Sequence, residues 1–281
     1  MEGGRRTARR RAAVAAQLRQ LRRSARRSVE QAAEALDCPV SRVRQIEDGE
    51  AALRVGDARQ LLDLYQVTGD QREALLGNVR ELGERSWWYP YTDIIDETFE
   101  TQLILEDEAT LIRTHQPNLV PGLLQTERYA WELIANLGDV PLETVERRAA
   151  LRGARQRILD RDGLRMVVVL DEAALRRPVG GPSVMREQYA RLAEAAGSSG
   201  VSIRVVPFHA GSRPAADSAF HIFEFGDEDP PVVQVELLDR VQFVQHAREV
   251  DRYRNAFEEA LNRALDAERS RDFLADLATR G

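Results

Sequence analysis

The chain has 281 residues, a formal net charge of −6 and one cysteine, long enough for two domains with real cores but with too few thiols for a disulfide framework or a cysteine-based zinc site. No run of about 18 apolar residues exists to span a bilayer. The N-terminal arginines are followed by no apolar stretch of the kind a secretory signal needs, so a globular cytoplasmic protein is expected. The net charge hides a division: residues 1–85 hold 17 arginines against 13 acidic residues, and the remainder holds 23 against 33. Ten arginines face one glutamate within residues 1–27, a composition that attracts phosphate.

Residues 1–11, MEGGRRTARRR, lack apolar side chains and are expected to form a disordered basic arm. Val14, Leu18 and Leu21 then keep helical spacing, with Arg19, Arg22 and Arg23 on the other face. From Ser28 to Gly49 the spacing predicts two helices separated by Asp37-Cys38-Pro39: Val29, Ala32, Ala33 and Leu36 on the first, Val43 and Ile46 on the second. Ser28 with Gln31 has the form of a capping box, Pro39 cannot continue the first helix, and Gly49 stands where a helix stop belongs. The small residues Ala32 and Ala33 let the two helices cross closely. The second helix offers Ser41, Arg42, Arg44 and Gln45, all able to bond base edges or phosphates from a helix that fits the major groove. Cys38 reads as a small apolar residue in the turn. Ala58, Leu61, Leu62, Leu64 and Tyr65 predict a fourth helix, and Leu75, Leu76, Val79 and Leu82 a fifth.

The segment resembles the repressor-type helix-turn-helix of the Xre class, whose second helix closes on a motif of the form S-R-I-E-x-G; here it reads Arg44-Gln45-Ile46-Glu47-Asp48-Gly49. The resemblance places Val40, Ser41, Arg42 and Gln45 at base-reading positions and pairs Arg22 with Glu47. Ser28, Arg44 and Arg54 complete the expected DNA-contacting set. Val29, Arg26 and Arg27 depart from that pattern, which has a glutamine, a turn glycine and an apolar residue there.

An all-α five-helix domain over residues 12–85 is therefore expected, followed by an aromatic linker at 86–98 with Trp87, Trp88, Tyr89 and Tyr91 around Pro90. Beyond it, 99–281 reads as a mixed α/β domain with a sheet flanked by helices. Strands are predicted at Ala109–His115, Arg165–Leu170, Val201–Phe208, Ser218–Phe225 and Val232–Leu237. Helices are predicted from the Thr126 cap to about Leu137, over Leu142–Leu159 and Ser183–Ala196, and last at Ala247–Leu265.

The runs ATLIRT, LVPGLLQTERYA, ARQRIL, VVLDEAALRRPVGG, MREQYARL and IRVVPFHAG, in this order, look like the large C-terminal domain of a family of actinobacterial Xre regulators. Those are described as antitoxin-like and are often encoded beside a very small protein. The resemblance implies a DNA-binding regulator whose C-terminal domain receives a signal from that small partner. The acidic C-terminal domain, larger than dimerisation needs, supports a second reading, an antitoxin-like interaction module that neutralises a small neighbouring protein and uses DNA mainly for autoregulation. The aromatic linker and the strand exit near Pro207-Phe208-His209 support a third, a regulator responsive to a small molecule.

Enzyme chemistry finds little support. Asp171-Glu172 at the end of the Met166–Leu170 strand is the best candidate, and reads more simply as the cap of the turn through Ala173-Ala174-Leu175. His115, His209, His221 and His246 are scattered, without metal-pair spacing. No enzyme activity, cofactor or metal is expected. The expected partners are double-stranded DNA carrying an inverted repeat, a second copy of the chain, and the small protein.

Overall fold

The computed structural model describes residues 2–49, 53, 55–84, 87–136, 138, 140–211, 218–226, 229–237 and 240–280; for 2–11 and 80–84 it describes the backbone alone. The chain divides into two compact units, Met1–Ile104 and Leu105–Gly281.

The first unit contains α1 (Glu2–Ser24), α2 (Val29–Ala35), α3 (Val40–Asp48), α4 (Val55–Leu64) and α5 (Gly69–Glu84). Its core is the inward stripe of each helix: Val14 and Leu18 of α1, Ala32 and Ala33 of α2, Val43 and Ile46 of α3, Leu61 and Leu62 of α4, and Leu75, Leu76 and Val79 of α5. α1 starts at Glu2, so the expected disordered arm is instead its first turns. Alanine and arginine are strong helix formers, and lengthening a helix already nucleated at Val14–Leu21 costs far less than starting one.

Three helices of this unit end without glycine. Arg26, Asp37 and Gln66 adopt φ of 52°, 49° and 56°, and the next amide in each case reaches back to close the end: Arg27 N to Arg22 O at 3.0 Å, Cys38 N to Ala33 O at 3.0 Å, Val67 N to Leu62 O at 2.9 Å. This is the Schellman arrangement, and the buried Val67 and half-buried Cys38 supply its apolar contact.

After α5, Trp87 and Trp88 pack edge to face with ring centroids 5.5 Å apart, and Tyr89–Tyr91 forms a single 3-10 turn. Helix α6 (Glu97–Glu108) follows and was not predicted. Apart from Phe99, its apolar residues bunch at Leu103, Ile104 and Leu105, which leaves too short a stripe to mark a helix. α6 begins at Glu97, inside the expected linker, and the division between the two compact units falls within α6.

The second unit is a six-stranded sheet of order β3-β2-β1-β4-β5-β6. Its strands are β1 (Leu111–Gln116), β2 (Arg165–Asp171), β3 (Val201–Val206), β4 (Phe220–Glu224), β5 (Val232–Glu236) and β6 (Val241–Val244). β1, β2 and β3 run parallel, and β4, β5 and β6 add antiparallel neighbours. The helices are α7 (Glu127–Ala135), α8 (Leu142–Arg155), α9 (Glu172–Arg176), α10 (Pro182–Ala195), α11 (Ala247–Arg263) and α12 (Ala267–Arg280). On one face Ile112, Met166, Val168, Leu170 and Phe223 pack with Tyr129 of α7, Leu192 of α10 and Leu274 of α12. On the other, Val169, Phe220, Ile222 and Val233 pack with Val250, Phe257 and Ala260 of α11. Helices on both faces explain why β1 is buried almost throughout and reads as a continuous run.

β6 and α12 were not predicted. The α8 segment ends at Arg155 and continues as a 3-10 turn, Gln156–Asp160, instead of as helix to Leu159. Asp171 caps α9 by accepting from Ala173 N at 2.8 Å, and Glu172 accepts from Phe208 N at 3.0 Å and Arg176 Nε at 3.1 Å. Both carboxylates are thus used in shaping this corner.

Candidate nucleic-acid interface

α2 and α3 form the two-helix unit. Ser28 Oγ accepts from Gln31 N at 3.2 Å and Gln31 Oε1 accepts from Ser28 N at 3.0 Å, closing the capping box. Pro39 is the N-cap of α3, and Gly49 ends it with φ of 79°; that positive φ is why a glycine belongs there. Ala32 and Ala33 are buried where α2 meets α3.

α3 has two faces. Arg42, Val43, Ile46 and Glu47 are buried, and Ser41, Arg44, Gln45 and Asp48 are exposed. Of the expected reading residues, Ser41, Arg44 and Gln45 share the solvent face, as positions three and four apart must. Val40 is half-buried against the first unit's core. Ser28 is exposed at the start of α2 with its oxygen engaged in the cap. Arg54 lies outside the described residues.

Arg42 does not stand with the reading residues. It is 6% exposed; its Nη1 lies 2.6 Å from Glu97 Oε1 and its Nη2 3.9 Å from Asp57 Oδ2. It sits one residue before Val43 and four before Ile46, on the inner stripe, so its guanidinium meets carboxylates of α4 and α6 and is turned away from solvent.

The expected Arg22–Glu47 pair is present as a two-pronged fork, Nε to Oε1 at 2.6 Å and Nη2 to Oε2 at 2.8 Å, with both side chains buried. Arg19 adds a bond to Asp48. Glu47 and Asp48 lie in the last turn of α3, where the helix dipole disfavours negative charge, and two α1 arginines neutralise them. The Glu47 bond raises the Arg22 pKa above its ordinary value, against the opposing effect of burial. Arg19 and Arg22 are therefore committed to α3, while Arg23 remains exposed.

Glu30, fully exposed on α2, is held below the ordinary carboxylate range by its own backbone amide first and the Ser28 hydroxyl next, with Arg44 contributing. Burial pushes the Cys38 thiol up, away from the thiolate that redox chemistry needs. Among the described residues, no group of three or more His, Cys, Asp or Glu could hold a metal ion, and no helix is long and apolar enough to cross a membrane.

Residues 13–75 match the helix-turn-helix domain family, a span that contains the capping box, the exposed face of α3 and the Arg22–Glu47 fork. No curated protein and no solved structure matches the chain. The second unit is covered by the longer match, residues 99–276, and the chain belongs to the family defined by that domain of unknown function, DUF5753.

Proposed function

We propose that the chain is a sequence-specific transcriptional regulator of the Xre type that binds an inverted repeat in double-stranded DNA as a homodimer in the cytoplasm. The observation that carries this reading is the solvent face of α3. Ser41, Arg44 and Gln45 stand together on a helix whose inner face is fixed by Val43, Ile46 and the Arg22–Glu47 fork. A rigid helix presenting an arginine and a glutamine is suited to guanine and adenine edges in the major groove. One such helix reads few base pairs, so specificity is supplied by two of them about 34 Å apart on a palindrome. The acidic second unit, larger than dimerisation requires, receives a signal from a small partner protein. The reading assigns no catalytic step and no cofactor to the chain.

Fluorescence polarisation on labelled DNA from upstream of the protein's own gene, at two salt concentrations, tests the reading. Arg44→Ala and Gln45→Ala should each weaken specific binding by about 1–3 kcal/mol without changing non-specific affinity. Equal binding of the double variant and the wild type would remove α3 as the reading helix.

A further inference from the structure

One face of the second unit's sheet changes character along its strands. Register places Ile112 beside Phe223 and Phe223 beside Val232, an apolar row across β1, β4 and β5. Two residues along, Thr114 pairs with His221 and His221 with Gln234. Two further, Gln116 of β1 and Glu236 of β5 continue the same face, because strand side chains alternate. Two successive polar rows thus interrupt an apolar face at the C-terminal end of β1. Thr114, Gln116, His221 and Gln234 are buried, a costly placement unless the groups are satisfied.

Their mutual contacts are slack. His221 Nε2 stands 3.4 Å from Glu236 Oε1 and 3.5 Å from Gln116 Nε2, which is itself 3.5 Å from Thr114 Oγ1. All three lie at the outer limit of hydrogen bonding. The Glu236 side chain is 47% exposed, so the cluster opens to solvent.

α8 carries two arginines whose charges act on Glu236, in different circumstances. Arg155 is buried in a two-pronged fork with Glu106. Among the described residues Arg152 bonds the neutral amide oxygen of Gln125 and has no carboxylate within ion-pair distance. Burial and the like charge of Arg155 push its pKa down to about 10, partly offset by Glu236. A half-buried guanidinium bonded to a neutral amide, and close enough to the polar cluster for Glu236 to act on it, offers the fork of donors that an oxyanion accepts from.

We propose that this end of the sheet binds a small molecule bearing an oxyanion, either carboxylate or phosphate, with Arg152 gripping the anion and His221 and Gln116 bonding the polar groups next to it. Its place agrees with the general preference of open α/β sheets for ligands beyond the carboxyl ends of parallel strands; here β1 is the last parallel strand and β4 beside it runs the other way. The site lies wholly in the second unit, so its failure would leave the DNA-binding reading untouched.

The test is calorimetric titration of the full chain with inorganic phosphate and, separately, with succinate, each against chloride at matched ionic strength. Arginines of the first unit also attract phosphate, so the variants decide. Wild type should bind one probe saturably, and which one separates phosphate from carboxylate ligands. Arg152→Gln should weaken that binding at least about tenfold, as expected for a lost charged hydrogen bond. Glu236→Gln, at a half-exposed position that should not disturb folding, removes a negative charge near the guanidinium and should tighten binding severalfold. If Arg152→Gln does not fold, Glu236→Gln carries the decision. Absence of saturable binding to both probes, wild-type affinity in Arg152→Gln, or unchanged affinity in Glu236→Gln would overturn the proposal.

Discussion

Arg42 and Glu97 form a 2.6 Å ion pair that ties the middle of α3 to the first turn of α6, and the arginine side chain is only 7% exposed while the glutamate is 45% exposed. An arginine of the reading helix is therefore used inside the first unit. Arg42→Ala should lower stability by about 1–2 kcal/mol, through lost packing of its methylene stem and loss of a pair with one solvated partner. Gln45→Ala should leave stability within about 0.5 kcal/mol of wild type and cost operator affinity instead. Urea denaturation and polarisation on the same proteins separate the two. If Arg42→Ala kept full stability and lost selectivity as Gln45→Ala does, Arg42 would be a reading residue after all.

The Arg22–Glu47 fork has an idle neighbour. Tyr65 is 5% exposed and its hydroxyl is buried with no hydrogen-bond partner among the described residues; burial first, and Glu47 next, push its pKa well up. A buried hydroxyl without a partner costs free energy that phenylalanine avoids. Tyr65→Phe should therefore be neutral or stabilising by up to about 1 kcal/mol. Glu47→Ala should cost about 3–5 kcal/mol, because it strands the Arg22 guanidinium in the core. Thermal unfolding of both variants checks the pair, and a clearly destabilised Tyr65→Phe would show that the hydroxyl is satisfied in solution.

Arg26 holds φ of 52° at the end of α1, a conformation costing a residue with a Cβ about 1–2 kcal/mol. Arg26→Gly relieves that strain but adds freedom to the unfolded chain, leaving a net gain of about 0.5–1 kcal/mol. The exposed guanidinium stands at the turn that leads into α2, so the same substitution should reduce the salt dependence of DNA binding by about one phosphate contact. A more stable variant with an unchanged salt slope would leave Arg26 without a role at DNA.

The two-helix unit was legible because its signals are local. Ser28 and Gln31 cap one turn, Gly49 ends another, and Ala32, Ala33, Val43 and Ile46 mark inner faces by spacing alone. Arg42 is polar but not exposed; its position one before Val43 and four before Ile46 puts it on the inner stripe. α12 carries a usable stripe in Phe273, Leu274 and Leu277, whereas β6, although mostly apolar, has only four residues, too short a run to mark a strand. The polar rows of the sheet were illegible for a different reason. His221, Gln234 and Glu236 come together with Gln116 only through the strand order β1-β4-β5, and that order depends on long-range pairing that no stretch of sequence encodes by itself.

The same cluster fixes an acid response. The hydrogen bond from His221 is the largest influence on Glu236 and holds its pKa below the ordinary 4.5; Arg155 and Arg152 add to it, and burial opposes. The folded state thus takes up this proton less readily than the unfolded chain. The stabilisation it brings is fully present above pH 4.5 and is lost as the pH falls from there through the lower folded value. Other carboxylates titrate in the same range, so the comparison must be with Glu236→Gln, which has no proton to gain at this position. Amide hydrogen exchange in β4 and β5, followed from about pH 5.5 to about pH 3.5 and corrected for the intrinsic rate, should show protection falling more steeply in the wild type than in Glu236→Gln. Equal slopes would mean that His221 and Glu236 do not interact in solution as their 3.4 Å separation indicates, and the oxyanion site would lose the neighbour that should tune its affinity.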